Sequence, residues 1–464
     1  MIPEADWICV IGVDVHWYER SLPLLQADTK KRLIFLDIEG IGGSFPNSQV
    51  SVLTVSSLQE MLQAAKKIGW KSVFHTLALV GQEKAPEMAL QFESAVRKYK
   101  EAAHLILSDW ADVGETVLKH AFLHWNSLPD VRSGLGLKGR FEGIPAVICG
   151  GGPSLKKNLH HLDPEKTLIF AGGAALHQLT VAPHFAASID RKAPFKMFKQ
   201  HSFWEVPFFY QSRMNPENFS LLHGEQLYIP DGCYPAEAWL AGLELFDGGW
   251  TVGTFLIALA AWLGCDPIIC TGMDFCYENE CKYGASEKVD SLEGLVSVED
   301  RFGRKTWSQR DWLMAADWID ELAKRRWDKT FIDATEGGLR LARLQEKTLQ
   351  EVMSSLNCSI DLEAKVHAEV MGLDWMAIPL DRMDEWKRSL KRCLALCKKE
   401  LKQREPVIWD EEIVYQMLLF PLWQIWSPVF ERELEVDSQP LPFEEKLRLN
   451  QILFFQRVLY EQAN

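Results

Sequence analysis

The stretch Pro145–Leu159, PAVICGGGPSLKKNL, decides the fold of this chain. Its apolar run Ala146–Cys149 is of the kind that forms a buried parallel strand. Three glycines and Pro153 follow, and Leu155 begins a short helical stretch. A strand, a glycine turn and a helix N-terminus together favour phosphate binding, because backbone N–H groups and the helix dipole attract anions. The stretch lacks the features of a P-loop and of the usual dinucleotide fingerprint, so a tight turn without a ligand is the alternative.

Residues 140–340 alternate strand-like and helix-like segments, which predicts an α/β fold with a doubly wound, Rossmann-like parallel sheet. The predicted strands are Ala146–Cys149, Thr167–Ala171, His184–Ile189, Pro207–Tyr210, Gln226–Ile229, Asp266–Thr271 and Thr330–Asp333. A glycine turn and a buried helix are predicted over Gly248–Gly264, and a helix-rich stretch over Asp300–Trp327. Glycine turns and carboxylates follow several of the strands. Because ligands bind at the carboxyl ends of parallel strands near the switch point, we expect a site there.

The segments on either side predict two further domains. Residues 1–130 predict a small α/β domain with strands at Trp7–Gly12, Arg32–Asp37, Val52–Val55 and Ser72–Leu77, and a helical stretch from Ala85 to Phe122. Val131–Gly143 is interpreted as a linker or lead-in loop. Residues 345–464 show apolar residues at helical spacing and predict a C-terminal helical region. Its predicted helices are Gln345–Leu356, Glu363–Val370, Asp381–Leu401, Asp410–Trp426 and Phe443–Tyr460. This region could cap the central domain, form an oligomer interface or hold a protein partner.

Composition excludes some classes of protein. The 464 residues are 47% hydrophobic and 25% charged, as in ordinary globular proteins. The net charge of −14 argues against nucleic acid as the main partner. The longest apolar run, Phe255–Cys265, is too short to span a bilayer, and no signal peptide is recognisable. We therefore expect a cytoplasmic protein without a membrane span. The ten cysteines are scattered without metal-ligand spacing, which predicts free thiols and no structural zinc.

Four sequence blocks resemble one known family. They are Val147–Leu155 (VICGGGPSL), Ala187–Asp190 (ASID), Thr251–Asp274 (TVGTFLIALAAWLGCDPIICTGMD) and Asp333–Gly338 (DATEGG). The family contains the 6-hydroxymethylpterin diphosphokinase MptE-like proteins of archaea and the bacterial motility accessory factors, or Maf proteins. One such block would be a weak signal, but four in order at domain-like spacing are specific for the family.

Two activities are implied by this resemblance. Maf proteins look like glycosyltransferases that move a nonulosonic, sialic-acid-like sugar from a CMP-sugar to a protein hydroxyl. The archaeal diphosphokinases instead use ATP with Mg²⁺ to pyrophosphorylate a pterin, and they consist mainly of the central domain. The three-part layout of this chain is similar to Maf, which makes the CMP-sugar transferase the first expectation and the diphosphokinase the alternative.

The resemblance assigns binding roles to glycines and hydroxyls of the central domain. Gly150, Gly151, Gly152 and Ser154 are expected to bind the phosphate or ribose through backbone N–H groups and the Ser154 hydroxyl. Further candidates for contact with the base or phosphate are Gly172, Gly173, Thr251, Gly253 and Thr254. For this second group, close helix–strand packing and an N-cap by Thr251 or Thr254 are an equally good explanation.

Three carboxylates are the candidate catalytic residues. Asp190 and Asp274 end predicted strands, where each could act as a base, orient the acceptor or together hold Mg²⁺. The alternative for Asp190 is a surface pair with Arg191 or Lys192. Glu336 could orient a substrate hydroxyl or cap the following helix.

One departure from the related sialyltransferases leaves the general base open. Those enzymes use a histidine in a lid, and this sequence has no histidine between Asp274 and Glu336. A third interpretation is therefore a non-catalytic scaffold that acts through its tryptophan-rich C-terminal helices.

Overall fold

The structure is a computed structural model that describes residues 3–28, 30–191, 205–232, 235–278, 294–376, 379–404, 407–436 and 442–463. The chain divides into two compact units. The first comprises Met1–Asp112, Leu394–Ile408 and Leu419–Tyr460, and the second Val113–Cys393, Trp409–Leu418 and Glu461–Asn464. The three-domain division at residues 1–130, 140–340 and 345–464 stays a prediction.

The first unit contains a four-stranded parallel sheet with the order β3-β2-β1-β4. Its strands are β1 (Trp7–Ile11), β2 (Arg32–Asp37), β3 (Val50–Thr54) and β4 (Leu77–Val80), and its first helices are Val15–Ala27 and Leu58–Lys71. The strand predicted at Ser72–Leu77 is wrong for all but its last residue. Ser72 is the C-cap of a helix, and Val73 packs against Ala103 and Leu107 instead of pairing in the sheet.

The second unit is built on a nine-stranded sheet with the order β15-β14-β11-β6-β7-β8-β9-β10-β5, in which every adjacent pair is parallel. Its strands are β5 (Arg132–Ser133), β6 (Ala146–Cys149), β7 (Leu168–Gly172), β8 (Phe185–Ser188), β9 (Phe208–Tyr210), β10 (Gln226–Tyr228), β11 (Ile268–Thr271), β14 (Phe331–Asp333) and β15 (Gln345–Glu346). The chain runs outward from β6 to β10 on one side and then continues from β11 on the other. The switch point therefore lies between β6 and β11, as the doubly wound interpretation requires.

Two predictions about local structure in this unit are corrected. Val131–Gly143 is not a linker, because it supplies edge strand β5 and because Leu135, Leu137 and Phe141 are buried in the core. The helix-rich stretch predicted from Asp300 begins with part of a hairpin of β12 (Val296–Glu299) and β13 (Lys305–Ser308). The Asp300 carboxylate accepts N–H bonds from the turn, which explains why the chain reverses there.

The remaining helices largely follow the predictions, except that Gln345–Glu346, predicted as the start of a helix, is strand β15 and the helix begins at Leu349. They are Pro86–Ser127, Leu155–Asn158, Pro235–Ala241, Val252–Leu263, Arg310–Arg325, Leu349–Ser355, Leu362–Met371, Leu380–Gln403, Phe420–Val436 and Phe443–Ala463. The helix predicted from Asp410 is instead a π-helical turn at Tyr415–Leu419 that leads into Phe420–Val436. Among the described residues, no helix combines the length and the apolar character needed to cross a membrane.

Eight of the ten cysteines lie in the described residues, where they are free thiols. Cys233 and Cys281, which belong to the same prediction, lie outside the described residues.

Candidate functional site

A cavity of about 460 Å³ opens at the switch point of the nine-stranded sheet. It lies where the carboxyl ends of β6, β7, β8 and β11 meet. Nine of the predicted residues line it: Gly150, Gly151, Gly152, Gly172, Gly173, Asp190, Thr251, Gly253 and Asp274. Ser154, Thr254 and Glu336 lie outside this lining. The fold therefore brings most of the predicted site together from segments far apart in the sequence.

The glycine loop after β6 packs tightly against the end of β11. The Gly150 N–H donates to the Thr271 carbonyl oxygen at 2.8 Å, and the Gly152 N–H donates to the Gly272 carbonyl oxygen at 2.9 Å. These two donors are thus used within the protein, and not for an anion as the sequence predicted. In the part of the chain that the structure describes, the Gly151 N–H has no protein acceptor, and Gly151 lines the cavity. Among the three glycines of the described loop, Gly151 is therefore the one whose N–H group can bind a ligand in the cavity.

Asp274 is the buried carboxylate at the centre of the site. Its side chain accepts the Ser154 hydroxyl at 2.7 Å and the Ser154 N–H at 3.3 Å, and the residue is 3% exposed. Ser154, predicted to contact the nucleotide, here directs its hydroxyl at Asp274. Burial raises the pKa of Asp274 from 3.8 to about 6, against the opposing effect of the Ser154 hydrogen bonds. The Asp274 carboxyl can thus gain or lose a proton near neutral pH.

The raised pKa of Asp274 predicts a pH-dependent effect of Asp274→Asn on stability. The folded carboxyl keeps a proton that the unfolded one releases between pH values of about 4 and 6, so ionisation costs wild-type stability as pH rises through this interval. An Asn amide can still accept the Ser154 bond but does not ionise. The unfolding free energy of Asp274→Asn relative to wild type should therefore rise by up to about 3 kcal/mol from pH 4 to pH 7. Denaturant unfolding of both proteins across this pH range measures the difference in unfolding free energy. A difference that does not change with pH would contradict a raised pKa of the buried Asp274 carboxyl.

The helix Val252–Leu263 begins at the opposite wall of the cavity. Thr251 is its N-cap and forms a capping box with Thr254, whose hydroxyl accepts the Thr251 N–H at 2.9 Å. The capping role that the sequence left open for these threonines is thus confirmed. The N–H groups of the first helical turn, at Val252 and Gly253, have no acceptor within the helix. Both residues line the cavity, which gives this wall the character of an anion site.

The cavity lining also includes residues that the sequence reasoning did not select. Arg191 and Arg213 bring two guanidinium groups to a lining that also holds Asp190. Two histidines of the helix Pro86–Ser127 contact the backbone next to Arg213 from outside this lining. The Nε2 of His124 lies 2.7 Å from the Met214 carbonyl oxygen, and the Nδ1 of His120 lies 3.3 Å from the Arg213 carbonyl oxygen. The lining further includes Trp250, Asp311 and Trp312. Trp250 follows the predicted glycine turn at Gly248 and Arg191 follows the predicted strand end at Asp190, but neither pattern by itself indicates that the side chain lines a cavity. Lys192, the other predicted partner of Asp190, lies outside the described residues.

Glu336 caps a helix next to the site. Its Oε1 accepts the Leu349 N–H at 2.9 Å, at the start of the helix Leu349–Ser355. This is the structural alternative stated for Glu336, and the residue lies outside the cavity lining. We expect Glu336→Ala to lower the unfolding free energy by about 1 kcal/mol, the usual cost of a lost cap, and to leave ligand affinity unchanged. Thermal unfolding and titration calorimetry test the two parts, and a tenfold loss of affinity would place Glu336 in the binding site instead.

Within the described ranges, no group of three or more His, Cys, Asp or Glu side chains is arranged to hold a metal ion. Asp190 and Asp274 line the same cavity, and oxygen ligands of this kind suit Mg²⁺. Two carboxylates leave most of the coordination to a bound phosphate and to water, as in phosphoryl-transfer sites. The magnesium site at Asp190 and Asp274 therefore stays a prediction.

Comparisons with known proteins address the resemblance predicted from the sequence. Residues 125–280 match the model of the family described as 6-hydroxymethylpterin diphosphokinase MptE-like. No curated protein matches the sequence. The fold is similar to the solved structure of a Maf glycosyltransferase from Magnetospirillum magneticum AMB-1, with a TM-score of 0.61 and 16% identity. This alignment covers 99% of the present chain and 74% of the other. The resemblance is thus confirmed: residues 125–280 match the MptE-like family, and nearly the whole chain shares its fold with a Maf glycosyltransferase.

Proposed function

We propose that the protein is a nucleotide-dependent glycosyltransferase that moves a nonulosonic, sialic-acid-like sugar from a CMP-sugar to a protein hydroxyl. The observation that carries this proposal is the cavity at the switch point between β6 and β11, with a buried carboxylate on one wall and a helix N-terminus on another. The similarity in fold to a Maf glycosyltransferase over 99% of the chain supports it.

Each wall of the cavity has a role in this proposal. The Val252 and Gly253 N–H groups and the Gly151 N–H bind the CMP phosphate, which carries the negative charge that leaves in the reaction. The Arg191 and Arg213 guanidinium groups add positive charge to the same cavity. The lining also holds the carboxylates of Asp190, Asp274 and Asp311, so the two arginines offset acidic side chains in the cavity and do not make it positive overall.

Asp274 is the proposed general base. The acceptor hydroxyl oxygen attacks the anomeric carbon of the sugar, the bond from this carbon to the CMP phosphate oxygen breaks, and Asp274 takes the hydroxyl proton. CMP leaves as the phosphate monoester. A carboxylate with a pKa of about 6 is ionised at neutral pH and still basic enough to accept the proton. Because no histidine lies between Asp274 and Glu336, the role of general base falls to Asp274 in this proposal.

The release of CMP from a CMP-nonulosonic acid tests the proposal without knowledge of the acceptor. Slow transfer to water should release CMP even without a protein acceptor. Addition of a Ser- or Thr-containing acceptor should raise the rate and add the sugar mass to the acceptor. Turnover should persist in EDTA. A folded protein that releases no CMP from any nonulosonic acid donor, with or without acceptor, would overturn the proposal.

The second candidate is a 6-hydroxymethylpterin diphosphokinase that uses ATP with Mg²⁺. The match of residues 125–280 to the MptE-like family favours it. Asp190 and Asp274 would then hold Mg²⁺ against the triphosphate, and the pterin hydroxyl would attack the β-phosphorus of ATP with release of AMP. Formation of AMP that depends on both Mg²⁺ and the pterin would establish this activity, and its absence would remove it.

A further inference from the structure

A tight turn carries a tryptophan to the wall of the cavity. Trp250 lines the cavity and packs in part against the hydrophobic core. It directly precedes Thr251, the N-cap of the helix whose Val252 and Gly253 also line the cavity. An aromatic ring and a set of N–H donors thus lie next to each other along the chain.

Hydrogen bonds hold this turn in one conformation. The Thr254 hydroxyl accepts the Trp250 N–H at 2.9 Å and lies 3.0 Å from the Gly248 carbonyl oxygen. Gly249 has a φ of +70°, and a Cβ there would lie 2.6 Å from the Thr254 hydroxyl oxygen, so the turn requires glycine. The backbone that carries Trp250 is therefore fixed before any ligand binds.

A second tryptophan, Trp318, contacts this turn on the side away from the cavity lining. The Trp318 indole N–H donates to the Asp247 carboxylate at 3.1 Å, and the same carboxylate accepts the Gly249 N–H at 3.1 Å. The ring of Trp318 also lies against Gly249, where a Cβ would approach it to 2.9 Å. Trp318 thus contacts the turn without lining the cavity.

The exposure of the aromatic residues singles out Trp250. The described lining contains three aromatic side chains, and Phe275 and Trp312 are each only 9% exposed. Trp250 is half-buried and keeps more of its surface accessible. Because a phosphate bound at the helix N-terminus places the rest of a nucleotide a few ångströms away, a planar base can stack on this ring.

We propose that Trp250 is the residue on which the nucleobase of the donor stacks, and that Trp318, through Asp247, is a positioning residue for it. This inference rests on the proposed function, since it requires a nucleotide in the cavity. It adds that the site recognises a planar aromatic base and not only the phosphate.

The test compares ligands with and without a base. Binding of CMP and of ribose 5-phosphate is measured by titration calorimetry for wild type, Trp250→Ala, Trp250→Phe and Trp318→Phe. Trp327→Ala is the matched control, since Trp327 is 86% exposed on the same unit and outside the cavity lining. Thermal unfolding of each variant verifies that it is folded.

We expect Trp250→Ala to weaken CMP binding roughly tenfold or more and to change ribose 5-phosphate binding less than about twofold. Trp250→Phe keeps a ring and should restore most of the CMP affinity. Trp318→Phe removes the indole N–H donor together with the five-membered ring that carries it, and it should weaken CMP binding by about threefold with no effect on ribose 5-phosphate. The control variant should match wild type.

The outcomes separate this inference from the proposed function. Equal losses for CMP and ribose 5-phosphate, or no loss for either in Trp250→Ala, would overturn the stacking role while nucleotide binding stands. A wild-type protein that binds ATP but not CMP, with the same dependence on Trp250, would support the stacking role and contradict the CMP donor. A folded wild type that binds no nucleotide would overturn both.

Discussion

Gly152→Ala is expected to destabilise the second unit by about 3 kcal/mol and to abolish nucleotide binding. A Cβ at this position would lie 1.9 Å from the Asp274 Oδ2 and 2.7 Å from the Gly272 carbonyl oxygen. Neither neighbour can move freely. Asp274 is buried and held by Ser154, and the Gly272 carbonyl accepts the Gly152 N–H. The substitution would therefore displace the buried carboxylate or separate the two loops.

A double mutant identifies the source of this loss. If the clash is mainly with the carboxylate, Asp274→Ala in the Gly152→Ala background should recover part of the unfolding free energy, so the two changes should not be additive. Gly372→Ala is the control, because Gly372 has helical φ and ψ at a helix C-terminus of the same unit, and its effect should stay below about 1 kcal/mol. A Gly152→Ala protein with wild-type stability and affinity would contradict the loop contact.

Asp274→Asn is expected to lower turnover by about 10²- to 10⁴-fold while nucleotide affinity changes less than about threefold. The amide can accept the Ser154 hydrogen bonds and fill the same volume, but it cannot take a proton from the acceptor. In wild type, turnover should fall as pH drops through about 6, because the base is active only when ionised. The variant should lack this dependence. Steady-state rates and CMP titrations between pH 5 and 8 measure both effects.

Glu336→Gln is the matched control for the loss of a carboxylate. Glu336 lies in the same unit but caps a helix outside the cavity lining, so turnover should change less than about threefold. Turnover by Asp274→Asn within a few-fold of wild type would exclude Asp274 as the base. A parallel loss of nucleotide affinity would indicate that Asp274 serves binding instead.

The sheet agrees with the prediction, and nine of the predicted site residues line one cavity, because strands and their carboxyl ends depend on local patterns. Short apolar runs that end in glycine or aspartate mark strands and their carboxyl ends, and β6 and β11 follow this pattern. An apolar run that begins after Thr251 and ends at Gly264 likewise predicts the helix Val252–Leu263. Where the order of strands reverses, such ends must meet.

The roles of individual atoms could not be predicted from the same patterns. Whether a glycine N–H faces an anion or a neighbouring strand depends on pairing between residues about 120 apart in the chain, as for Gly152 and Gly272. The Ser154 hydroxyl bonds to Asp274 for the same reason. Trp250 follows a predicted glycine turn and Arg213 a predicted strand, but these patterns do not indicate which side chains contact a ligand, and only the tertiary structure brings both residues to the cavity.

The most direct test of the central claim, that the cavity at the switch point binds CMP, is a thermal-shift panel of CMP, CTP and ATP, each with and without Mg²⁺. At a ligand concentration one hundred times its dissociation constant, binding stabilises the folded protein by about 2.7 kcal/mol, which is readily measured. We predict stabilisation by CMP in the absence of Mg²⁺, and its loss in Gly152→Ala. Stabilisation by no ligand other than ATP with Mg²⁺, or no stabilisation by any nucleotide, would contradict the claim that the cavity binds CMP.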